Sequence, residues 1–205
     1  MAVEIRTADL LITRKADRLE VDFDDLQGLW TEEQYFKLTD RTNHFVEFTD
    51  GFIEFPPMPT DKHQAILAFL FELFLLFIRP QGGKVRFAPL RLQIRPGKQR
   101  EPDILLVRDA HDPRRQNRFW LGADLVVEVV SSDNPERDTV EKVTDYAEAG
   151  IPEYWIVNPE AETITVLMLQ GEAYATHGVF RRSETAGSLL LEGFSVDVNA
   201  VLDAS

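Results

Sequence analysis

The segment Asp124-Leu125-Val126-Val127-Glu128-Val129-Val130 constrains this chain more than any other, because it is a run of branched apolar side chains with a carboxylate near its middle. Such a run reads as a strand covered on both faces, the kind found at the centre of an α/β sheet. Burying an ionised carboxyl without a partner costs roughly several kcal/mol, so Glu128 must be protonated, paired with a cation or bound to a metal. Two other segments supply partners. Upstream, Glu101-Pro102-Asp103 opens a second apolar strand, Ile104-Leu105-Leu106-Val107. Downstream, Lys142 lies on the helix that follows Glu128.

The flanking punctuation defines that helix. Asn134-Pro135 offers an N-cap followed by proline at the first helical position, and Gly150 with Pro152 is a matching stop, so the helix is expected over about 135–149. Val140, Val143 and Ala147 form its apolar stripe, with Lys142 and Tyr146 together at one margin. Tyr154-Trp155-Ile156-Val157 is then a buried strand parallel to the Glu128 strand, since strand-helix-strand crossovers are nearly always parallel. Lys84 to Ile94 alternates as one further strand, returning through the 95–100 turn to pair with 103–107.

Towards the N-terminus, residues 1–29 are acidic and without period, an extension or loosely docked arm, and order is expected from Thr31, whose spacing to Gln34 makes a capping box. A hairpin follows, 45–48 against 52–55 around Asp50-Gly51. Thr163 to Leu169, with the Gln170-Gly171 turn, begins a C-terminal hairpin. The expectation is an α/β (mixed α+β) fold, a central mixed β-sheet flanked by helices with hairpins towards both ends, in a single domain over residues 30–205.

The element from Thr60 to Ile78 is apolar nearly all round from Ala65 onward. At this stage it reads as too short for a membrane span and without flanking Lys/Arg, so no membrane is expected. A helix apolar on every side must be covered on every side, which points to packing on the sheet and against a second copy, a homodimer.

Composition narrows the chemistry. There is no cysteine, so disulfides and thiolate sites are out, and the four histidines form no close helical pair of the zinc-hydrolase kind. The N-terminal residues lack a signal-peptide core, which makes a cytoplasmic protein the default. The formal net charge of −13 counts against a broad phosphate rail, although Arg95, Lys98, Arg100, Arg114, Arg115 and Arg118 could form a small positive rim.

An Asp and a Glu on neighbouring strands repel each other, and a hard cation such as Mg²⁺, or Mn²⁺ in its place, is the usual remedy. Lys142 beside it could orient a water or balance charge on a phosphate, which suits phosphodiester hydrolysis. The plainer reading makes Glu128 and Lys142 a buried structural ion pair. His63 is as readily a polar residue at a helix start as a site residue. Glu47 reads equally as a solvated hairpin carboxylate or a third acidic ligand. Tyr146 reads first as a half-buried helix residue, and Asp138 as the group that holds Lys142 in place.

Pro102-Asp103 followed by Glu128-Val129-Val130 resembles the PD-(D/E)XK nuclease superfamily, with Val130 in the slot where a lysine usually stands and Lys142 in the place the lysine takes when it has moved to the following helix. Phe45 to Glu54, His63, Glu101-Pro102-Asp103, Asp124 to Ser131, Asp138, Lys142, Tyr146, Ala149-Gly150 and Glu153-Tyr154-Trp155 together resemble the Uma-type restriction-endonuclease family over roughly residues 30 to 199. The resemblance implies a restriction-endonuclease-like core, Mg²⁺ dependence, a homodimer and a nucleic-acid substrate, DNA first. Asp103, Glu128 and the Val129 carbonyl would be metal ligands, and Lys142 would position the water. Two rival readings stand beside it: a catalytically silent dimeric interaction module on the same fold, and a phosphohydrolase of small nucleotides.

Overall fold

Leu125–Val129 forms a strand buried at all five positions, as its branched residues require, and the molecule is built outward from it. The computed structural model describes residues 11–13, 16, 18, 20–42 and 44–205. Strands β1 (Leu11–Thr13) and β2 (Glu20–Asp22) precede helix α1 (Glu32–Thr39) and the hairpin of β3 (Glu47–Thr49) and β4 (Phe52–Glu54). Helix α2 (Asp61–Ile78) leads to β5 (Lys84–Phe87), β6 (Leu92–Arg95), β7 (Lys98–Arg100), β8 (Ile104–Val107) and, past a long loop, β9 (Leu125–Val129). A wide π turn over Arg137–Glu141 runs into α3 (Lys142–Glu148). Then come β10 (Glu153–Asn158), β11 (Thr163–Gln170), β12 (Ala173–Arg181), β13 (Thr185–Gly187), β14 (Ser195–Asp197) and α4 (Val198–Leu202).

The central sheet has the order β12-β11-β10-β9-β8-β5 and is mixed: β9 and β10 run parallel and the other neighbours antiparallel. The parallel pair is the one joined through α3, as expected of a crossover. One face of this sheet packs against α2 through Ile66, Leu70, Phe74 and Ile78. On the other, Leu105, Val126 and Val130 meet Tyr146, Tyr154 and Ile151. A smaller sheet, β4-β3-β7-β6, lies beside it, with Tyr35, Phe36, Val46, Phe48 and Ile53 forming a third apolar cluster.

Four expectations need correction. Residues 84–94 are two strands in two sheets: β5 pairs with β8 as foreseen, but β6 pairs with β7 in the smaller sheet. Pro89 sits at the break, where a residue without N–H cannot continue a ladder. Order does not begin at Thr31, because Phe23 is buried in the third cluster and the N–H groups of Gly28 and Trp30 donate to the Gly51 carbonyl. Residues 1–10 of the expected extension lie outside the described residues. The helix after β9 buries only part of the expected stripe: Val143 packs half-buried on the second apolar cluster, but Val140 is 59% exposed, while Asp138, Lys142, Asp145 and Tyr146 are buried. Finally, the apolar stretch from Asp61 to Gln81 is long and apolar enough to cross a membrane. One side of it packs on the central sheet through Ile66, Leu70, Phe74 and Ile78.

Candidate active site

The register of β8 on β9 brings the acidic pair together. Ile104 faces Val127 across antiparallel strands, so the next position sets Asp103 opposite Glu128. Directly opposed residues project from the same face, here the one that carries Leu105 and Val126. The Glu128 carboxylate accepts from the Asp103 N–H at 3.4 Å, and the Asp103 carboxylate accepts from the Val129 N–H at 2.8 Å.

The π turn decides what reaches this pair from above. Such turns recur at functional sites, and this one leads into the register in which Asp138, Lys142 and Tyr146 all face inward. The Lys142 Nζ lies 2.9 Å from Glu128 Oε1, 3.0 Å from Asp138 Oδ1 and 3.9 Å from Glu47 Oε1. The Tyr146 hydroxyl donates to Glu128. From the first turn of α2, capped by Thr60, His63 Nε2 comes within 3.1 Å of Asp103 Oδ2, while its Nδ1 is buried without a partner among the described residues.

Asp103, Glu128, Lys142, Asp138, Tyr146, His63 and Glu47 therefore converge at one place. Glu47 is not a solvated hairpin carboxylate. It is buried, accepts from Arg137 Nη2 at 2.6 Å and from the Glu101 N–H at 3.3 Å, and lies 3.4 Å from Arg100 Nε. Arg137 is a site neighbour that the sequence did not single out, while Arg100 was read only as part of a positive rim and Glu101 only through its motif with Pro102-Asp103. The one available signal was the Arg100-Glu101 pair directly before Pro102-Asp103.

The two buried glutamates differ in charge balance. Burial alone would raise Glu47, but Lys142, Arg100 and Arg137 outweigh it and hold the carboxyl at about 2. Burial pushes Glu128 up to about 8, opposed by Lys142 and reinforced by the carboxylates of Asp103 and Asp138. Lys142 is held protonated well above its usual range: burial works against that, and Glu128, Glu47 and Asp138 prevail. Glu47 is thus held ionised by protein cations, while burial and the neighbouring carboxylates disfavour the charge on Glu128, a condition that a bound cation would relieve.

Among the described residues no three His, Asp or Glu side chains are arranged to enclose a metal. The donors that face each other here are the carboxylates of Asp103 and Glu128, all oxygen. That set fits Mg²⁺, which keeps several of its waters and needs only one or two carboxylates. These groups lie along a cleft of roughly 1010 Å³ that is lined by Glu47, His63, Asp103, Glu128 and Lys142 and walled by the 55–60 and 130–134 segments.

The expected positive rim is largely spent. Arg95 pairs with Asp50 and Glu148, Lys98 with Asp145 and Glu148, Arg100 with Asp145, Arg114 with Asp112 and Asp124, and Arg118 with Asp40. The Arg115 guanidinium donates to the Ala110 carbonyl.

No curated protein matches the chain. The crystal structure of "a putative nuclease belonging to DUF820" from Anabaena variabilis superposes with a TM-score of 0.71 at 20% identity, covering 85% of this chain and 98% of that one, a likeness of fold. A family model described as "Putative restriction endonuclease" matches residues 32–199, from the start of α1 into α4. With that match spanning both sheets, α2 and every residue of the cluster, the chain belongs to the Uma2 family.

Proposed function

We propose that the protein is a metal-dependent endonuclease that hydrolyses phosphodiester bonds of nucleic acid, DNA first, and that it acts as a homodimer in the cytoplasm. The observation that carries this reading is the convergence of Asp103, Glu128 and Lys142 on the floor of one open cleft. Asp103 and Glu128 would hold Mg²⁺, or Mn²⁺ in its place, with the Val129 carbonyl as a further oxygen. When bound, the ion supplies a Lewis acid for the phosphate oxygens and a water of lowered pKa.

The chain's own residues do the rest. Lys142, aimed by Asp138 and Glu128, holds the attacking water in line and offsets negative charge on the phosphate as it builds. His63 and the Val129 N–H fix the Asp103 carboxylate, and the Tyr146 hydroxyl fixes that of Glu128. Attack of water on phosphorus breaks one P–O ester bond, leaving a phosphate monoester and a free hydroxyl.

Asp103→Asn and Glu128→Gln are expected to abolish both Mg²⁺ binding, read by calorimetric titration, and cleavage of plasmid DNA. Lys142→Ala is expected to lower cleavage by about a hundredfold or more with metal binding largely kept. Three variants that cut at the parental rate refute the assignment, and a parental protein with no carboxylate-dependent heat favours the silent interaction module. The net charge of −13, with the cations along the cleft engaged within the protein, favours one second reading, a phosphohydrolase of small nucleotides, which a panel of nucleotide substrates separates from the first.

A further inference from the structure

Above the polar floor, the cleft has a wall of another character. Phe55 and Phe87 both line it, at 43% and 50% exposure, with Met58 at 72% beside them. Large apolar side chains left open next to a charged cluster need a reason, since burying each is worth more than exposing it. Neither ring is loose. Phe55 packs on Phe23 with centroids 5.7 Å apart, and Phe87 stands edge-on to Phe71 at 4.8 Å. Each ring is thus fixed from behind by a second aromatic and open to the cleft on its remaining surface.

The basic residues along the same cleft are all engaged within the protein. Lys62 donates to the Ala204 carbonyl, His63 meets Asp103, Arg137 holds Glu47 and Glu54, and Lys142 holds Glu128 and Asp138. A duplex is gripped through many phosphates by free cations, and its bases are stacked inside where these rings cannot reach them. Stacking of a base on an open ring needs no free cation, so two such rings beside the Asp103 and Glu128 pair match instead a nucleotide whose base is unpaired and whose phosphate meets the cation held there.

We propose that the cleft takes a single-stranded stretch of nucleic acid, with bases stacked on Phe55 and Phe87 beside the phosphate to be cut. This deepens the nuclease reading above and rests on it for the cutting step, while the stacking can be measured alone. The probe is a fluorescein-labelled 20-nucleotide DNA of mixed sequence, single-stranded or annealed to its complement, with binding read by anisotropy without metal and cleavage read with Mg²⁺ or Mn²⁺.

The parental protein is expected to bind the single strand at least about tenfold more tightly than the duplex. Phe55→Ala and Phe87→Ala are each expected to weaken single-strand binding about tenfold and leave duplex binding unchanged, and Phe87→Trp to keep it. Duplex binding as tight as that of the single strand, or alanine variants that bind the single strand like the parent, overturns the proposal. Duplex cleavage that needs Asp103 but neither ring sinks the stacking and keeps the nuclease. Ring-dependent binding of the single strand without any cleavage does the reverse.

Discussion

Glu101 shows how one carboxyl in this cluster couples stability to pH. Its Oε2 accepts from the Val46 N–H at 3.3 Å, and burial, with the charge of Glu47 next, raises its pKa to about 7. A folded-state value above the unfolded one means that the stabilising contribution is complete below about 4.5 and is lost as pH rises through about 7. Glu101→Gln keeps an acceptor for Val46 and removes the titration. In urea unfolding at several values between pH 5 and 8, the variant is expected to gain on the parent as pH rises, by up to about 3 kcal/mol, with the gain levelling off above pH 7. A stability difference that stays flat across that range refutes the reading. Asp103, Glu128 and Lys142 could be read from the chain because a charge inside an apolar run demands a partner. Glu47 could be read only as one of two alternatives, because its alternating hairpin pattern equally suits a solvated strand, and only the tertiary fold brings Arg100 and Arg137 onto it.

At the level of elements, short-range signals located helices and strands well and their inward faces less well. The capping box at Thr31 and the β9-α3-β10 crossover stand where the sequence put them. The split of residues 84–94 between two sheets and the true face of α3 do not follow from periodicity. Proline punctuation competes with alternation in the first, and in the second a π turn shifts the register while ion pairs permit polar residues to face inward. The rotated face has a direct test. Val140→Lys is expected to change unfolding free energy by no more than about 0.5 kcal/mol, as for an exposed position. Tyr146→Ala, which empties a wholly buried site and strips the donor from Glu128, is expected to cost about 3 kcal/mol or more. If thermal unfolding ranks the two in the opposite order, α3 is turned the other way.

On the scale of the whole molecule, α2 and the net charge make separate demands. Leu76 is 67% exposed on α2, and Phe69, Leu73 and Leu75 are only partly covered, so this face is the one a second copy would bury. Leu76→Glu sets a charge in that contact and is expected to shift the protein from dimer to monomer in sedimentation equilibrium, and a parent that is monomeric at tens of micromolar removes the dimer from the reading. Charge bears on substrate grip. At −13, and with Lys62, His63, Arg137 and Lys142 along the cleft all engaged within the protein, the described part of the site offers no free cation to displace counterions from a nucleic-acid backbone. For a single strand, the slope of log affinity on log salt is about −0.7 per phosphate neutralised. If about two phosphates are engaged and ring stacking supplies the rest, affinity should fall by less than about tenfold between 50 and 200 mM salt, where a protein with 6–10 duplex phosphate contacts would lose about a thousandfold or more. A steep measured slope would mean that phosphate contacts carry the binding. Those contacts would then come from cations outside the cleft or from ion pairs that open around the substrate, because the cations lining the cleft are engaged within the protein.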